Sequence, residues 1–157
     1  MENNITRMLH AKKVAFTAFE TPAEKLGAEE TARILNVPVE IVFKTIVVTR
    51  ERPGKPVLAL VPGNQEVDLK AVARTAGEKK VSLATEKEAE RLTGLKAGGI
   101  SPLALINKGF QVFLDQSAQT YPEIHVSGGQ RGLNIRLPVQ DLVQLTNARI
   151  ANLTGEG

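Results

Sequence analysis

Three separated groups of residues have the side chains or the backbone freedom that an active site needs. Lys44 is a lone cation inside the apolar run 41–49, and the other groups are the loop Gly98-Gly99-Ile100-Ser101-Pro102 and the turn Ser127-Gly128-Gly129. Paired glycines allow a positive φ and a close approach of another backbone, and their N–H groups can face an anion or a carbonyl oxygen. We expect the three groups to form one site, in which the lysine attracts phosphate or stabilises negative charge on an oxygen.

Each group also has a purely structural interpretation, and the pattern alone leaves both open. A lysine flanked by apolar residues can extend its ammonium group to solvent, pair with an acid or lie at a sheet edge. The glycine loop can be a tight connection, in which Pro102 fixes its own φ and holds Ser101 extended. The same alternative applies to Ser127-Gly128-Gly129.

The residue types exclude several other chemistries. There is no cysteine, which excludes disulfides, thiolate metal sites and a cysteine nucleophile. No P-loop, Gly-x-Gly-x-x-Gly, His-Glu-x-x-His or Gly-x-Ser-x-Gly motif is present. The only histidines, His10 and His125, lack the spacing of metal ligands, so we expect neither a metal site nor a bound cofactor.

His125 and Ser127 are two residues apart on a predicted strand, so they share a face, as a base and a nucleophile would. Neighbours on one face of a strand are about 6.5–7 Å apart at Cα, which is too far for a direct hydrogen bond without unusual rotamers. We therefore expect His125 to be a surface histidine.

The positions of apolar and turn-forming residues place these groups on mixed helices and strands. The run 41–49 is continuous and β-branched, which is typical of a strand buried on both faces. Without the regular alternation of a doubly wound fold, the pattern predicts an α+β fold with a mixed, mostly antiparallel, barrel-like sheet flanked by short helices. Helices are predicted at 4–12, 29–35, 68–77, 85–92 and 139–145, and strands at 14–19, 41–49, 56–62, 80–83, 111–115, 123–127 and 132–137, with 149–153 a last short strand or tail.

Length and composition are ordinary for a soluble globular protein. The 157 residues are 42% apolar and 24% charged, so we expect one domain over 1–157 with one core. The first residues lack the apolar core of a secretory signal, and no apolar run is long enough to span a membrane, which favours the cytoplasm. The net charge of +3 is a mild positive bias that would help binding to a polyanion.

Three motifs, in this order and at these separations, resemble one known family. They are Val42-Phe43-Lys44-Thr45, Gly98-Gly99-Ile100-Ser101-Pro102 and Val126-Ser127-Gly128-Gly129-Gln130-Arg131-Gly132-Leu133. Over nearly its whole length the chain resembles the YbaK/EbsC family of free-standing aminoacyl-tRNA editing deacylases, and most closely the branch that removes cysteine from mischarged tRNA(Pro). The resemblance implies a mixed β-barrel flanked by helices, related to the editing insertion domain of bacterial prolyl-tRNA synthetases. It also implies cleavage of the ester that joins an amino acid to the terminal adenosine of tRNA.

The resemblance implies roles for particular residues as well. Lys44 matches a central functional residue of the family, residues 98–102 match a loop that lines the aminoacyl pocket, and Ser127 matches a serine of the same pocket. In the cysteine-specific branch the substrate thiol attacks its own ester carbonyl, so that the enzyme supplies only positioning and oxyanion stabilisation. We assign Lys44 to the terminal nucleotide or the developing charge, Ser127 to a hydrogen bond with the aminoacyl group, and the backbone at 98–102 and at Gly128-Gly129 to substrate orientation.

Two positions in the expected pocket depart from the pattern of this branch. Phe19 stands, allowing a one-residue gap, where the branch often has a tyrosine, and Asn134 stands where it has an aspartate. Phe19 therefore lacks a hydroxyl and Asn134 lacks a charge. Either neither group takes part in the chemistry, or the amino-acid preference has shifted, for example toward alanine.

Two other functions stay open from the sequence. One is a deacylase for Ala-tRNA(Pro) or another small mischarged amino acid, and the other is a non-catalytic module that binds tRNA ends or a synthetase. Retention of Lys44, the glycine loop and Ser127 together favours the enzyme. The resemblance further implies prolyl-tRNA synthetase as a partner that supplies selectivity for tRNA(Pro), although nothing in the sequence marks that interface.

Overall fold

The computed structural model describes residues 2–155. Helices and strands follow the predicted order. The largest shift is at the first strand, which was predicted to begin at residue 14 but begins at Thr17, the residue that pairs with Arg136. Within the described residues the helices are α1 (Asn4–Ala11), α2 (Ala28–Leu35), α3 (Leu69–Ala76), α4 (Glu86–Thr93) and α5 (Val139–Thr146). The strands are β1 (Thr17–Glu20), β2 (Phe43–Arg50), β3 (Val57–Pro62), β4 (Val81–Leu83), β5 (Gln111–Asp115), β6 (Glu123–Ser127), β7 (Leu133–Pro138) and β8 (Arg149–Ala151).

The strands form two sheets. The smaller has the order β1-β7-β6 and is antiparallel, and the larger has the order β4-β2-β3-β5-β8 with parallel pairing only at β3-β5 and β5-β8. This confirms the α+β class and the mixed, mostly antiparallel pairing. The barrel-like form is corrected, because the described strands close no barrel: the larger sheet ends in the three-residue strands β4 and β8. A single parallel bridge, between Val42 and His125, joins the two sheets.

Burial on both faces extends along all of β3 but along only part of β2. Every residue of β3 is buried, whereas Lys44, Thr45 and Ile46 of β2 are only half-buried. The prediction of burial on both faces for the run 41–49 is therefore wrong at these three residues. The physical reason is the partner on the outer edge of β2, since β4 pairs with β2 only from Val48 onward. The first half of β2 is a sheet edge.

Apolar side chains form two clusters, one on each face of the larger sheet. Alternation along β3 sends Leu58 and Leu60 to the larger cluster, which α1, α5 and the smaller sheet complete. Val57, Ala59 and Val61 face the other cluster, which α3 covers with Val72 and Ala73. The smaller sheet is therefore attached to the larger one through a shared core. No helix among residues 2–155 is long and apolar enough to cross a membrane.

Local caps define the helices on either side of β4. Asp68 accepts hydrogen bonds from the backbone N–H groups of Lys70 and Ala71 at the start of α3, and Gly77 ends this helix with a φ of 72°. Thr85 and Glu88 form a reciprocal capping box at the start of α4. These contacts confirm the predicted helix boundaries. The N–H of Ala84, which donates to the carbonyl of Val47 at 3.0 Å, places the start of α4 next to the open edge of β2.

Candidate functional site

A cavity of about 430 Å³ opens along the exposed edge of β2. On this edge β6 contacts the chain at Val42, and pairing with β4 starts at Val48. The cavity occupies the unpaired interval between these two residues. Five segments contribute to its wall: 21–31, 42–47, 83–89, 97–100 and 127–134. Lys44 lies in this interval, and the sheet edge that makes room for the cavity is a tertiary feature.

Members of all three predicted groups meet in this cavity. Lys44, Gly98, Ile100 and Ser127 line it, together with Asn134. The parallel bridge between Val42 and His125 explains part of this convergence, because Lys44 and Ser127 each follow the bridge by two residues. The roles assigned to these residues stay predictions.

Lys44 carries the positive charge of the cavity wall next to β2. Its Nζ lies 3.8 Å from Glu66 Oε1, and the side chain of Lys44 is 27% exposed against 98% for Glu66. A pair with so exposed an acid is worth about 0–1 kcal/mol. The ammonium group is therefore available to an anionic ligand at small cost.

Glu86, on the opposite wall, is the acid that lines the cavity. It begins α4, and its Oε2 accepts a hydrogen bond from Lys25 Nζ at 2.8 Å, with both side chains exposed. This ion pair connects the segment before α2 to the start of α4. Because it is exposed, it contributes little stability and can separate readily.

The loop 98–102 divides into a part that faces the cavity and a part that faces the protein. Gly98, with a φ of 89°, and Ile100 line the cavity. A Cβ on Gly99 would lie 2.8 Å from Gln130 Cα, so the close approach predicted for the glycines occurs between two loops of this chain. Ser101 is fully buried and its Oγ accepts the N–H of Leu103, while Pro102 begins the following 3-10 turn. Gly99, Ser101 and Pro102 do not line the cavity.

The glycines after Ser127 use their N–H groups within the chain. Gly128 donates to the carbonyl of Leu133 at 2.8 Å, and Gly129 donates to Ser127 Oγ at 3.3 Å. Neither glycine lines the cavity, and Gly129 borders a separate groove next to α1. The hydroxyl of Ser127 accepts this bond and keeps its own proton for a ligand.

His125 is fully buried, so the expectation of a surface histidine is wrong. β6 lies between β7 and the start of β2, and its neighbours Ile124 and Val126 are buried too. His125 Nδ1 lies 2.7 Å from Asn134 Oδ1, while Nε2 has no partner among the described residues. Burial lowers the pKa of His125 below its ordinary value, against the hydrogen bond to Asn134 Oδ1, which raises it.

Phe19, predicted as a pocket residue, lies behind the wall. It pairs in register with Asn134, and its ring centroid is 5.5 Å from that of His125. The guanidinium carbon of Arg136 lies 5.3 Å from the same ring. Phe19 does not line the cavity, whereas its strand partner Asn134 does.

Among the residues at the site that were not predicted, Thr45, Glu86 and Arg131 carry polar groups. Thr45 Oγ1 lies in the cavity wall, enclosed and without a hydrogen-bond partner among residues 2–155. Arg131 Nε donates to the carbonyl of Ala97 at 2.7 Å and so ties the second glycine turn to the first glycine loop. Arg131 stands in the third motif, and Glu86 in the predicted capping box, so their positions were visible but their contacts were not.

No three His, Asp or Glu side chains among the described residues are grouped so that they could hold a metal ion. The titratable groups that line the cavity are Lys44 and Glu86. The arrangement can therefore orient a polar ligand and stabilise negative charge, using a cation, a hydroxyl and an amide.

Comparison with known proteins identifies the family. The model of the aminoacyl-tRNA editing domain matches residues 22–145, which include every segment of the cavity wall except the single residue Thr21. The chain belongs to this editing-domain family. The resemblance seen in the three motifs is confirmed at this level.

Relatives of this editing domain include free-standing proteins and parts of synthetases. The protein EbsC of Enterococcus faecalis, named as a deacylase of Cys-tRNA(Pro) and Cys-tRNA(Cys), is 38% identical over 155 residues, which are 98% of this chain and 93% of EbsC. The proline–tRNA ligase of Geobacter metallireducens is 28% identical over 127 residues, which are 81% of this chain and 21% of the ligase. The editing domain thus corresponds to about a fifth of that synthetase.

Solved structures agree with the fold. A crystal structure described as a trans-editing enzyme for prolyl-tRNA synthetase superimposes with a TM-score of 0.81 at 28% identity and covers 100% of this chain and 99% of that one. The crystal structure of the hypothetical protein APE2540 superimposes with a TM-score of 0.86 at 22% identity, covering 96% of this chain and 99% of that one. The second likeness concerns the fold alone.

Proposed function

We propose that this editing domain is a free-standing deacylase that removes cysteine from mischarged Cys-tRNA(Pro), and also from Cys-tRNA(Cys), by cleaving the aminoacyl ester. The observation that carries the proposal is the cavity that brings together Lys44, Gly98 and Ser127 in a chain so similar to EbsC along its whole length. A volume of about 430 Å³ suits an amino acid esterified to one nucleoside.

The substrate supplies the nucleophile in the proposed reaction. The cysteine sulfur bonds to its own ester carbonyl carbon, the bond from that carbon to the ribose oxygen breaks, and a cyclic thiolactone leaves. The ribose oxygen takes up a proton in place of the one that the thiol gives up. A site for this reaction needs orientation and charge stabilisation and no nucleophile of its own.

The cavity wall supplies these two functions. The ammonium group of Lys44 stabilises negative charge on the carbonyl oxygen or on the terminal nucleotide, because within residues 2–155 its partner is the exposed carboxylate of Glu66 and not a buried one. Ser127 keeps a hydroxyl proton for the aminoacyl group. Gly98 lines the same wall, and its lack of a side chain leaves room for the backbone of Lys25, which would lie 3.1 Å from a Cβ.

One observation favours alanine as a second substrate. Asn134 presents a neutral amide in the wall, where the cysteine-specific branch has a carboxylate. Alanine has no thiol, so its release would require water as the nucleophile. A cavity that holds one nucleoside and one amino acid contacts little of a tRNA, so we further propose that prolyl-tRNA synthetase supplies the choice of tRNA(Pro).

The decisive experiment is a deacylation assay in buffer with EDTA, using Cys-tRNA(Pro), Cys-tRNA(Cys), Ala-tRNA(Pro) and Pro-tRNA(Pro). We expect rapid loss of cysteine from both tRNAs and no loss of proline. Faster loss of alanine than of cysteine would assign the second substrate instead. Binding of these tRNAs without turnover would make the protein a non-catalytic module and overturn the proposal.

A further inference from the structure

Asn134 places a neutral amide in the proposed pocket, where the cysteine-specific branch has a carboxylate. Asn134 lies on β7, opposite Ser127 in register, and is 6% exposed. Its Oδ1 is occupied by His125 Nδ1 at 2.7 Å. Its Nδ2 bonds to no described residue, and protein atoms do not fully enclose it. This amide nitrogen is therefore open to the cavity that Asn134 lines.

The contact between His125 and Asn134 defines the orientation of both groups. A carboxamide oxygen only accepts hydrogen bonds, so His125 Nδ1 carries the proton and donates it to Asn134 Oδ1. Nε2 of the same ring is then an unprotonated nitrogen, in agreement with its enclosure without a partner. If the amide of Asn134 rotated by half a turn, its N–H2 group would donate to an unprotonated Nδ1, and the ring proton would then lie on Nε2, where it would be a buried N–H donor without a partner.

The surroundings of His125 keep the ring neutral and in place. The ring is buried and packs against Phe19, with centroids 5.5 Å apart. The charged groups nearby are Arg136 and Glu123, which pair with each other at 3.5 Å and act on His125 in opposite directions. Burial therefore dominates, and the histidine keeps one proton, on the nitrogen that faces Asn134.

We propose that His125 is a positioning residue that holds the amide of Asn134 with its N–H2 group toward the pocket, so that the pocket offers the aminoacyl ester a hydrogen-bond donor at this point. A donor selects an acceptor on the substrate, such as the ester carbonyl or the ribose oxygen. An aspartate here would offer a carboxylate, which selects the α-ammonium group. The proposal rests on the proposed function and names a determinant of its substrate preference.

Coupling between the two side chains tests the proposal. His125→Phe keeps a ring but removes the donor, His125→Asn restores an N–H donor near the position of Nδ1, and Asn134→Ala removes the amide. His10→Phe is the matched control, because His10 is exposed on α1. Single-turnover kcat/KM is measured for these variants and for His125→Phe with Asn134→Ala, on the preferred aminoacyl-tRNA.

We expect kcat/KM to fall about 10- to 100-fold in His125→Phe and in Asn134→Ala, since misplacing a group that orients the substrate costs this much. The double variant falls no further than the lower single variant, because both changes remove one donor. His125→Asn recovers most of the activity, and His10→Phe loses none. Losses that multiply in the double variant, or full activity in His125→Phe, would overturn the proposal.

Nitrogen-15 NMR of the unsubstituted protein provides a test that does not depend on whether any variant folds. We expect the imidazole signals of His125 to show a proton on Nδ1 and none on Nε2. A proton on Nε2 would overturn the proposal even if the deacylase activity is confirmed. If the unsubstituted protein deacylates none of the four aminoacyl-tRNAs, the proposed function fails and this inference fails with it. If the protein is active but the losses in kcat/KM of the two single variants multiply in the double variant, this inference alone is rejected.

Discussion

At the scale of single residues, the cavity depends on a few polar groups that the chain leaves incompletely paired. Lys44 has only an exposed acid at 3.8 Å, Ser127 keeps its hydroxyl proton, and Asn134 keeps its amide N–H2 group. Polar groups next to a cavity are normally satisfied by protein or water, so groups left open there are candidates for binding a ligand. This makes their removal informative, because it changes the ligand's surroundings more than the stability of the fold.

Lys44→Ala is expected to lower the rate of deacylation of Cys-tRNA(Pro) by about 10²- to 10³-fold, the usual effect of removing one group that stabilises an oxyanion. Its Tm should change little, because the ion pair with Glu66 is exposed and weak. Single-turnover deacylation and thermal unfolding measure the two quantities. Lys79→Ala, at an exposed lysine away from the cavity, is the matched control. Full activity in Lys44→Ala would remove this lysine from the mechanism.

At the scale of structural elements, the wall depends on two glycine segments that pack against each other. Gly99 meets the backbone of Gln130, and Arg131 donates to Ala97 across the same junction. Asn3, at the start of α1, caps that helix and also donates to the carbonyl of Gly128. The loops are therefore held by backbone contacts that have no room for extra atoms.

Gly99→Ala is expected to destabilise the protein by about 1–3 kcal/mol, the usual cost of inserting a methyl group into a packed contact. The new Cβ would lie 2.8 Å from Gln130 Cα, and backbone atoms cannot move aside as a flexible side chain can. Gly27→Ala is the matched control, with a φ of −78° and no atom within 4 Å of the new Cβ. Chemical denaturation measures both. Equal stability of the two variants would show that the junction is not tightly packed.

At the scale of the whole molecule, the two sheets meet where His125 is buried. The bridge between Val42 and His125 joins them, and the larger apolar cluster continues from β3 into β6 and β7. We therefore expect protonation of His125 to be coupled to unfolding of the whole structure. Because burial lowers its pKa, the unfolded chain takes up a proton at this residue at higher pH than the folded one.

The free energy of unfolding should therefore decrease as the pH falls below about 6.5, the pKa of an unperturbed histidine. The loss is at most about 1.4 kcal/mol per pH unit and ends once the pH is below the pKa of the folded state. Chemical denaturation between pH 7.5 and 5.5 is the measurement. We expect His125→Phe to lack this dependence and His10→Gln to retain it. A pH dependence that persists in His125→Phe would assign it to other groups.

Much of the secondary structure and part of the site were predictable from local signals. Asp68, Gly77 and the Thr85–Glu88 box mark helix ends by short-range hydrogen bonds, which depend on adjacent residues alone. Lys44, Gly98 and Ser127, which residue type singled out, line the cavity, whereas Gly99, Gly128 and Gly129 do not. By contrast, the partner of Gly99, the position of Phe19 behind the wall and the contact of Arg131 with Ala97 join distant parts of the chain. Spacing along the sequence does not encode such contacts.

The loop 98–102 and the burial of His125 show most clearly where local sequence information ends. The order of helices and strands, the α+β class and the residues able to stabilise negative charge follow from periodicity, caps and side-chain chemistry, which are local properties of the chain. Long-range packing sets the division of the strands into two sheets, the cavity at the edge of β2 and the burial of His125 against Asn134. The physical reason is that burial and strand partners depend on which distant segment packs alongside, and no single segment specifies its own neighbour.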